Sequence, residues 1–350
     1  MTAFPDAGVD PQEAERPEGV AASSGWSSRL KLDRFSALYL WGIFVVYFGL
    51  TKKTYLSTAS VSLTFGEKTI VCLLALAFLV PLVTDTFDLS IGANLGLALV
   101  ILFRMNKAGQ PIWLAAILAI LACAAVGFVT GFIVVRLRVN SFIATLGMSQ
   151  AVTALILMIS GNRQIIDKLP RGFIRIGARR WLFNLPLYFY YMLVIAAVVW
   201  FVLEHTPLGR YMFATGGGRE PARLSGVKTD LLTWGSLVAS AVIAGFAGFV
   251  FAWKTNTFQN SAGPGFLFPA VAAVFFGASQ LRGRANVWGT LIAVFALAFG
   301  IKGLQLSFDA GTYWIEPMFN GVSLLIAVSL ASRQGVIKIR RRRQATPATS

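Results

Sequence analysis

Ten apolar runs occupy most of the chain between residues 35 and 331. A helix that crosses a bilayer needs roughly 20 apolar residues, because lipid offers its backbone no hydrogen-bond partners. Hydrophobic residues make up 56% of the 350 residues and charged residues 13%, which is too little polar surface to enclose a soluble globule. The sequence therefore predicts an all-α polytopic membrane protein with about ten transmembrane helices, at 35–50, 69–84, 90–103, 112–135, 142–160, 186–203, 231–253, 270–281, 287–306 and 313–331.

Two of these runs, 90–103 and 270–281, are too short for an ordinary span, so we expect broken, tilted or re-entrant helices there. Polar or helix-breaking residues interrupt the surrounding segments, 85–96 and 263–283. Ten spans divide into five and five, and an odd number in each half gives the halves opposite orientations, as in inverted-repeat transporters. We therefore expect two inverted five-helix halves, each with a short broken helix.

Basic residues outnumber acidic ones, 31 to 15, and the excess gathers beside the apolar runs. Clusters of this kind mark cytoplasmic loops, and they explain the basic C-terminal end more simply than a nucleic-acid surface does. The loop 161–185 breaks the pattern, because it is predicted to be external yet holds six basic residues against Asp167. Ten spans still place both termini in the cytoplasm, together with the basic clusters at 29–34, 136–138, 282–284 and 338–343.

Three regions follow from composition. Residues 1–28 are rich in Pro, Ala, Glu, Ser and Gly and have no apolar periodicity, so they cannot offset their own ordering entropy. We expect a disordered cytoplasmic tail at 1–34, a transmembrane domain at 35–331 and a basic cytoplasmic tail at 332–350.

A polar loop at 204–230 separates two apolar runs and is too charged to lie in lipid. Inside it, Pro221 stands where a helix could begin and Gly226 where one could end, which predicts a short helix of one to two turns. Glu220 and Arg223, three residues apart, would share a face of that helix. A solvated connector explains the same residues, and both interpretations stay open here.

A second polar stretch contains Asp85 and Asp88, where an ionised side chain at membrane depth is expensive and usually faces a wet cavity. Asp88 or Ser90 could instead cap the following helix, whose first N–H groups lack partners. A path lined by Asp88, Ser90 and Asn94 would suit a hydroxyl-rich solute, since each side chain offers hydrogen-bonding atoms. The later Gly263-Pro264-Gly265 prevents a continuous helix, with an external turn as the alternative.

Small residues at regular spacing let spanning helices approach one another closely. We expect such packing at two glycine pairs and at one helix rich in glycine and alanine. These are Gly92 with Gly96, Gly127 with Gly131, and the stretch that contains Gly245 and Gly248.

The residues for catalysis on this chain are missing. Its one histidine, His205, has no ligand cluster around it, so we expect no metal site, and Cys72 and Cys123 are typical of buried apolar residues. No Ser-His-Asp or Cys-His arrangement can be drawn, and no Gly-x-x-x-x-Gly-Lys-Ser/Thr loop is present to hold phosphates. Few intramembrane acids remain for a proton or sodium relay.

Several fragments, taken in order and spacing, resemble the permease subunits of ATP-binding-cassette sugar importers of the ribose/xylose type. The resemblance runs from about residue 80 to 331. Each fragment is short, and their combination is more specific than any one of them. The fragments are Asp-Leu-Ser-Ile-Gly at 88–92, Val-Asn-Ser-Phe-Ile-Ala-Thr-Leu-Gly at 139–147, Thr-Pro-Leu-Gly-Arg-Tyr at 206–211, Ala-Arg-Leu-Ser-Gly-Val at 222–227, Gly-Pro-Gly at 263–265, Ala-Val-Ala-Ala-Val at 270–274 and Gly-Thr at 289–290.

The resemblance implies a coupling helix at 219–227 that docks on a separate ATPase subunit. ATP would bind to that partner, with no cofactor on this chain, and a periplasmic solute-binding protein would deliver the solute. A second permease subunit, of the same or another sequence, would complete the complex in the bacterial inner membrane. The coupling residues implied in this way are Arg219, Glu220, Arg223, Leu224, Ser225, Gly226 and Val227.

Departures from the family pattern predict a divergent permease, and one hypothesis is that it forms an unequal pair with a more typical partner. Thr86-Phe87 replaces the usual glycine pair, Thr153 a common arginine, and Arg284-Ala285 part of a glycine-rich turn. Leu267 and Pro269 occupy the neighbourhood of two usual acids, which removes polar groups from the second half.

Permeases for branched-chain amino acids, nucleosides and autoinducers share much of this pattern, so the solute is the least constrained part of the prediction. An ATP-independent secondary transporter is an alternative of another class, and its uptake would survive ATP depletion. A membrane scaffold would show no flux.

Overall fold

The computed structural model describes residues 36–280, 284–308 and 311–333, whose regular elements are helices. Short 3-10 turns lie at Leu182–Asn184, Pro264–Phe266 and Thr312–Trp314. The predicted tails lie outside the described residues, except that the last helix continues to Arg333; Arg282 is also outside them. The α-helices are α1 (Ser36–Thr51), α2 (Thr58–Leu82), α3 (Ile91–Lys107), α4 (Ile112–Val135), α5 (Ser141–Ser160), α6 (Arg171–Ala178), α7 (Leu187–His205), α8 (Pro207–Gly217), α9 (Arg219–Leu224), α10 (Thr229–Thr255), α11 (Leu267–Gln280), α12 (Val287–Gln305) and α13 (Ile315–Arg333).

Each of the ten apolar runs lies largely within one of these helices. The largest error is at α2, which begins at Thr58 and not at residue 69. Ser57 caps this helix, since its Oγ accepts a hydrogen bond from the Ser60 backbone N at 3.2 Å. The first turns of α2 carry Ser, Thr, Glu and Lys side chains, so the apolar run starts well inside the helix.

Six described helices are long and apolar enough to cross a membrane by length and composition: α2, α4, α5, α7, α10 and α12. Two shorter apolar segments lie at Trp41–Thr51 and Pro264–Ala278. The chain is therefore a polytopic membrane protein. Length and composition therefore support six of the predicted ten spans. Two of the others are too short by this measure, since α3 has 17 residues and α11 has 14.

Helix α10 lies at the centre of the fold and packs against α2, α3 and α4. Buried residues make up 78%, 67% and 72% of the apolar stretches of α2, α10 and α12, but only 28%, 22% and 33% of those of α4, α5 and α7. The first three helices therefore form the core. The other three direct most of their apolar side chains outward, as spans in contact with lipid do.

Glycine allows α10 to approach its neighbours closely. A Cβ atom built on Gly248 would lie 2.6 Å from the Leu95 carbonyl oxygen of α3, and one built on Gly127 of α4 would lie 2.8 Å from the Leu237 carbonyl oxygen of α10. Real side chains do not fit at such distances. The predicted packing role of these glycines is confirmed.

The two interrupted segments, which are far apart in the sequence, meet in space. Gly92, in the first turn of α3, touches Gly263, which precedes the 3-10 turn at Pro264–Phe266. A Cβ built on Gly92 would lie 2.8 Å from the Gly263 carbonyl oxygen, and one built on Gly263 would overlap the Gly92 carbonyl group. The contact is backbone against backbone, so neither side can move away as a flexible side chain would.

This contact predicts that Gly263→Ala destabilises the protein. Gly263 has a φ of −84°, which alanine adopts readily, so only steric overlap is introduced. We expect a loss of about 1–3 kcal/mol, the usual cost of forcing an extra group into a packed interior. A lower midpoint of thermal unfolding for the purified protein in detergent would show it.

Gly265→Ala is the matched control, because a Cβ at Gly265 meets no atom within 4 Å. Equal stability of the two variants would contradict the close approach of the two segments.

Candidate functional site

The polar loop at 204–230 is mostly helical. Glu204 and His205 end α7, α8 covers Pro207–Gly217, and α9 covers Arg219–Leu224. Sequence analysis missed α8, although its start carries a usable signal. Thr206 is the N-cap, with its Oγ1 accepting from the Gly209 backbone N at 3.3 Å, and Pro207 follows at the first helical position.

The short helix predicted near Pro221 is present as α9, which has six residues. It begins at Arg219, two residues before the predicted start, and Pro221 lies in its first turn, where its missing N–H costs nothing. Gly226 follows with a φ of +83°, in the left-handed region that glycine adopts without strain. The chain therefore turns sharply after α9 and enters α10.

Helix α9 presents an apolar side chain to the surroundings. Leu224 is 87% exposed, and Glu220, Arg223 and Ser225 beside it are exposed as well, whereas Ala222 is buried against the body of the protein. Leu224 is thus an exposed apolar residue at the end of α9, with exposed polar and charged residues beside it.

Arg219 differs from the other predicted coupling residues, because its guanidinium faces the protein itself. Its Nη2 donates to Thr233 Oγ1 at 2.9 Å and lies 3.8 Å from Asp230 Oδ1. Both partners belong to α10. Arg219 therefore attaches the start of α9 to the central helix.

Helix α8 also contacts the turn after α2. A Cβ built on Gly216 would overlap the Val83 carbonyl oxygen and lie 3.2 Å from the Asp85 backbone N. On the other side of the same turn, Thr84 Oγ1 lies 3.4 Å from Ser236 Oγ of α10. The turn at 83–90 is thus in direct contact with the helices of the polar loop.

A charged contact joins the α11–α12 connection to the polar loop. Arg284 Nη2 donates to both carboxylate oxygens of Glu204, at 2.9 and 2.7 Å, and the guanidinium carbon lies 4.4 Å from the ring centre of Phe213. A charge-assisted bond combined with a cation–π contact fixes the arginine from two directions. Sequence analysis recorded Arg284 only as a departure from a glycine-rich turn and did not find its partner.

The three residues of the predicted solute path form one buried cluster. Asp88 Oδ1 accepts from the Ser90 backbone N at 2.9 Å and from Ser90 Oγ at 2.6 Å, while Asn94 Nδ2 donates to Ser90 Oγ at 3.2 Å. Each of the three is at most 1% exposed. Ser90 is the N-cap residue of α3 but makes no side-chain cap bond, and Asp88 accepts from the backbone N–H of Ser90 itself.

A fourth member of this cluster, Ser240 of α10, was missed. Its Oγ donates to Asp88 Oδ2 at 2.7 Å across 152 residues of sequence. The carboxyl group therefore uses one oxygen to shape the start of α3 and the other to hold α10. Asn94 Oδ1 is buried without a hydrogen-bond partner among the described residues, which leaves one acceptor of the cluster unused.

The known proteins that this chain is similar to are permeases of transport systems. Residues 60–330 match the family model described as branched-chain amino acid transport system / permease component. The chain is 32% identical over 253 residues to the Autoinducer 2 import system permease protein LsrC of Photorhabdus laumondii, covering 72% of this chain and 75% of that protein. It is 28% identical over 256 residues to the Ribose import permease protein RbsC of Haemophilus influenzae, covering 72% and 78%. No solved structure matches the chain significantly.

The buried cluster predicts that Ser240→Ala destabilises the protein. The change leaves Asp88 Oδ2 without its partner in a buried position, which costs about 1–3 kcal/mol. Thermal unfolding of the purified variant in detergent measures this loss.

Ser236→Ala, one helical turn earlier on α10, serves as the control. Ser236 Oγ donates to the Thr233 carbonyl oxygen of its own helix and lies 3.4 Å from Thr84 Oγ1, so its removal leaves no buried carboxylate without a partner. The assignment of Ser240 would be wrong if its variant were as stable as this control.

Proposed function

This chain belongs to the branched-chain amino acid transport system permease family, and on that basis we propose that it is the permease of an ATP-binding-cassette importer for a hydroxyl-rich solute. The chain is then a transport subunit and carries out no reaction of its own. The observation that supports the proposal most directly is α9, with an 87% exposed leucine at its end.

Transport against a gradient needs an energy source, and this chain contains no phosphate-binding loop. We therefore assign ATP binding and hydrolysis to a separate ATPase subunit that docks on α9 and the turn after it. Leu224 would enter an apolar pocket of that partner, and Val227 would add to the same contact. Glu220, Arg223, Ser225 and Gly226 would surround this anchor, while Arg219 holds α9 in place from behind.

A push on α9 would reach the membrane interior through contacts of the described residues. Helix α8 touches the turn at 83–90 through Gly216, and that turn carries Asp88 with its bond to Ser240 of α10. The Glu204–Arg284 contact extends the same connection to α12, because Arg284 lies just before the start of that helix. Both halves of the chain would thus respond to one docking event.

The solute is proposed to be a monosaccharide or a similar polar compound, in line with the ribose and autoinducer 2 named for two of the relatives. Asp88, Ser90 and Asn94 remain our candidates for part of the path. In the described conformation they are closed off from solvent, so the path would have to open there during transport. Delivery by a periplasmic binding protein and a second permease subunit, of the same or a different sequence, complete the proposal.

For the topology we propose ten spans in two inverted halves of five, in the bacterial inner membrane, with both termini in the cytoplasm. The permease domain would cover residues 35–331, with a disordered tail at 1–34 and a basic tail at 332–350. The contact between Gly92 and Gly263 supports a related position of the two interrupted segments. In this arrangement the polar loop at 204–230 is cytoplasmic, where an ATPase can reach it.

The docking assignment predicts that Leu224→Asp uncouples transport from ATP hydrolysis. Loss of a central apolar anchor costs about 2 kcal/mol or more in protein interfaces, so solute uptake and stimulation of the ATPase should fall at least ~10-fold. Both are measured with the complete importer in vesicles. Glu220→Lys should act in the same direction.

Leu137→Asp is the matched control, since Leu137 is 59% exposed and belongs to the α4–α5 connection, not to α9 or the turn after it. If Leu224→Asp leaves uptake and ATPase stimulation at the control level, α9 is not the docking helix. Uphill transport by the permease alone, without ATP, would point to a secondary transporter.

The topology predicts that a cysteine at Gly172 is labelled from outside by a membrane-impermeant reagent. Gly172 lies in α6, with no atom within 4 Å of a Cβ placed there, and the native Cys72 and Cys123 are buried. Ser225→Cys should be protected in intact cells and labelled only after permeabilisation. Protection of residue 172 would reverse the orientation of the later spans.

A further inference from the structure

A cavity of about 710 Å³ lies between the end of α10, the 3-10 turn at Pro264–Phe266 and the starts of α11 and α13. Its volume is within the range of about 300–1,000 Å³ found for small-molecule sites. None of the residues of the Asp88 cluster lines it. The residues that matter for its chemistry are Gln259, Ser261, Phe266, Tyr313, Glu316 and Asn320.

Asn320 is the most buried of the polar side chains that line the cavity. It is only 8% exposed, and its amide atoms are not among the buried atoms that lack a hydrogen-bond partner, so they remain open to the cavity. An amide both donates and accepts, so a ligand that carries hydroxyl groups would satisfy it.

Glu316 lies one turn before Asn320 on α13, so the two share a face. Its Oε1 accepts from Lys68 Nζ of α2 at 2.6 Å, and the lysine side chain is largely buried. Lys68 and Asn320 also line a neighbouring void of about 10 Å³, so both approach the same small space. The Glu316 side chain remains 42% exposed despite this pair, so it is accessible from the cavity that it lines.

The remaining lining is suited to the non-polar parts of such a ligand. Phe266 and Tyr313 contribute aromatic surface, and the exposed Ser261 adds a hydroxyl group on the opposite wall. Binding sites for small polar ligands combine a mainly apolar wall with a few directed polar groups in this way.

We propose that this cavity binds one hydroxyl-rich solute of monosaccharide size, with Asn320 and Glu316 as its principal hydrogen-bonding partners. The proposal rests on the proposed import function and adds a location to it. In the orientation given above, the end of α10 and the starts of α11 and α13 face the outside. The cavity would therefore receive the solute before the Asp88 cluster opens.

The test uses Ser261→Cys in membrane vesicles that contain the complete importer, with D-ribose, D-xylose and D-galactose as probes. The rate of alkylation by an impermeant maleimide is measured against sugar concentration. A bound sugar covers residue 261, and at about ten times the Kd mass action leaves the site free roughly a tenth of the time. We expect at least one sugar to slow alkylation about 10-fold by this measure.

Two comparisons make the result specific. Gln110→Cys, in the exposed α3–α4 connection on the same side, should react at a rate that no sugar changes. Adding Asn320→Leu to Ser261→Cys should raise the sugar concentration needed for protection ~10-fold or more, because one buried hydrogen-bonding partner is lost. Asn260→Leu is the control for that change, since Asn260 Nδ2 donates to Asn162 Oδ1 and does not line the cavity.

Absence of protection by all three sugars would overturn the site, and so would equal protection with and without Asn320→Leu. Uptake of the same sugars by the unmodified vesicles separates this outcome from failure of the proposed function. ATP-driven uptake without protection rejects only the cavity. Protection without any dependence of uptake on ATP supports the cavity and rejects the ATP-binding-cassette function.

Discussion

Close contact between helix backbones is the constraint on which the rest of this fold depends. Inside a bilayer, apolar side chains gain little by leaving lipid for protein, so helices associate through fine packing and hydrogen bonds. Helix α10 meets α3 at Gly248 and α4 at Gly127, where carbonyl oxygens occupy the space a side chain would take. The central position of α10, and with it every contact that α10 makes to the functional segments, follows from these small residues.

Polar groups buried in this framework have specific partners, and these partners connect distant parts of the chain. Asp88 joins the start of α3 to Ser240 of α10, and Lys68 of α2 joins Glu316 of α13. If a helix movement separated such a pair, it would leave polar groups without partners, which costs free energy. Each pair therefore restricts how the helices can move. Asn94 Oδ1 is one of several buried atoms without a partner among the described residues, and it lies where we propose that a solute passes.

The polar loop is connected to this framework at three places. Arg219 bonds to α10, Gly216 contacts the turn that leads to Asp88, and Glu204 holds Arg284. Leu224 takes part in none of these three contacts and is 87% exposed. A segment that is firmly attached on one face and carries an exposed apolar residue on the other has the form needed to pass a force from a partner to the membrane helices.

The amino-acid sequence by itself determined the class of protein, the approximate place of the helices, the short helix before Gly226 and the family. These properties depend on hydrophobic runs, caps and turn residues that act within a few positions of one another. It did not reveal α8 or the early start of α2, because polar side chains in both places interrupt the apolar pattern, and the count of ten spans stays a prediction. Only the tertiary structure decided the pairs Asp88–Ser240, Glu204–Arg284 and Lys68–Glu316, whose members are 152, 80 and 248 residues apart. Such pairs leave no local pattern, since they form only when packing of the helices brings the two side chains together.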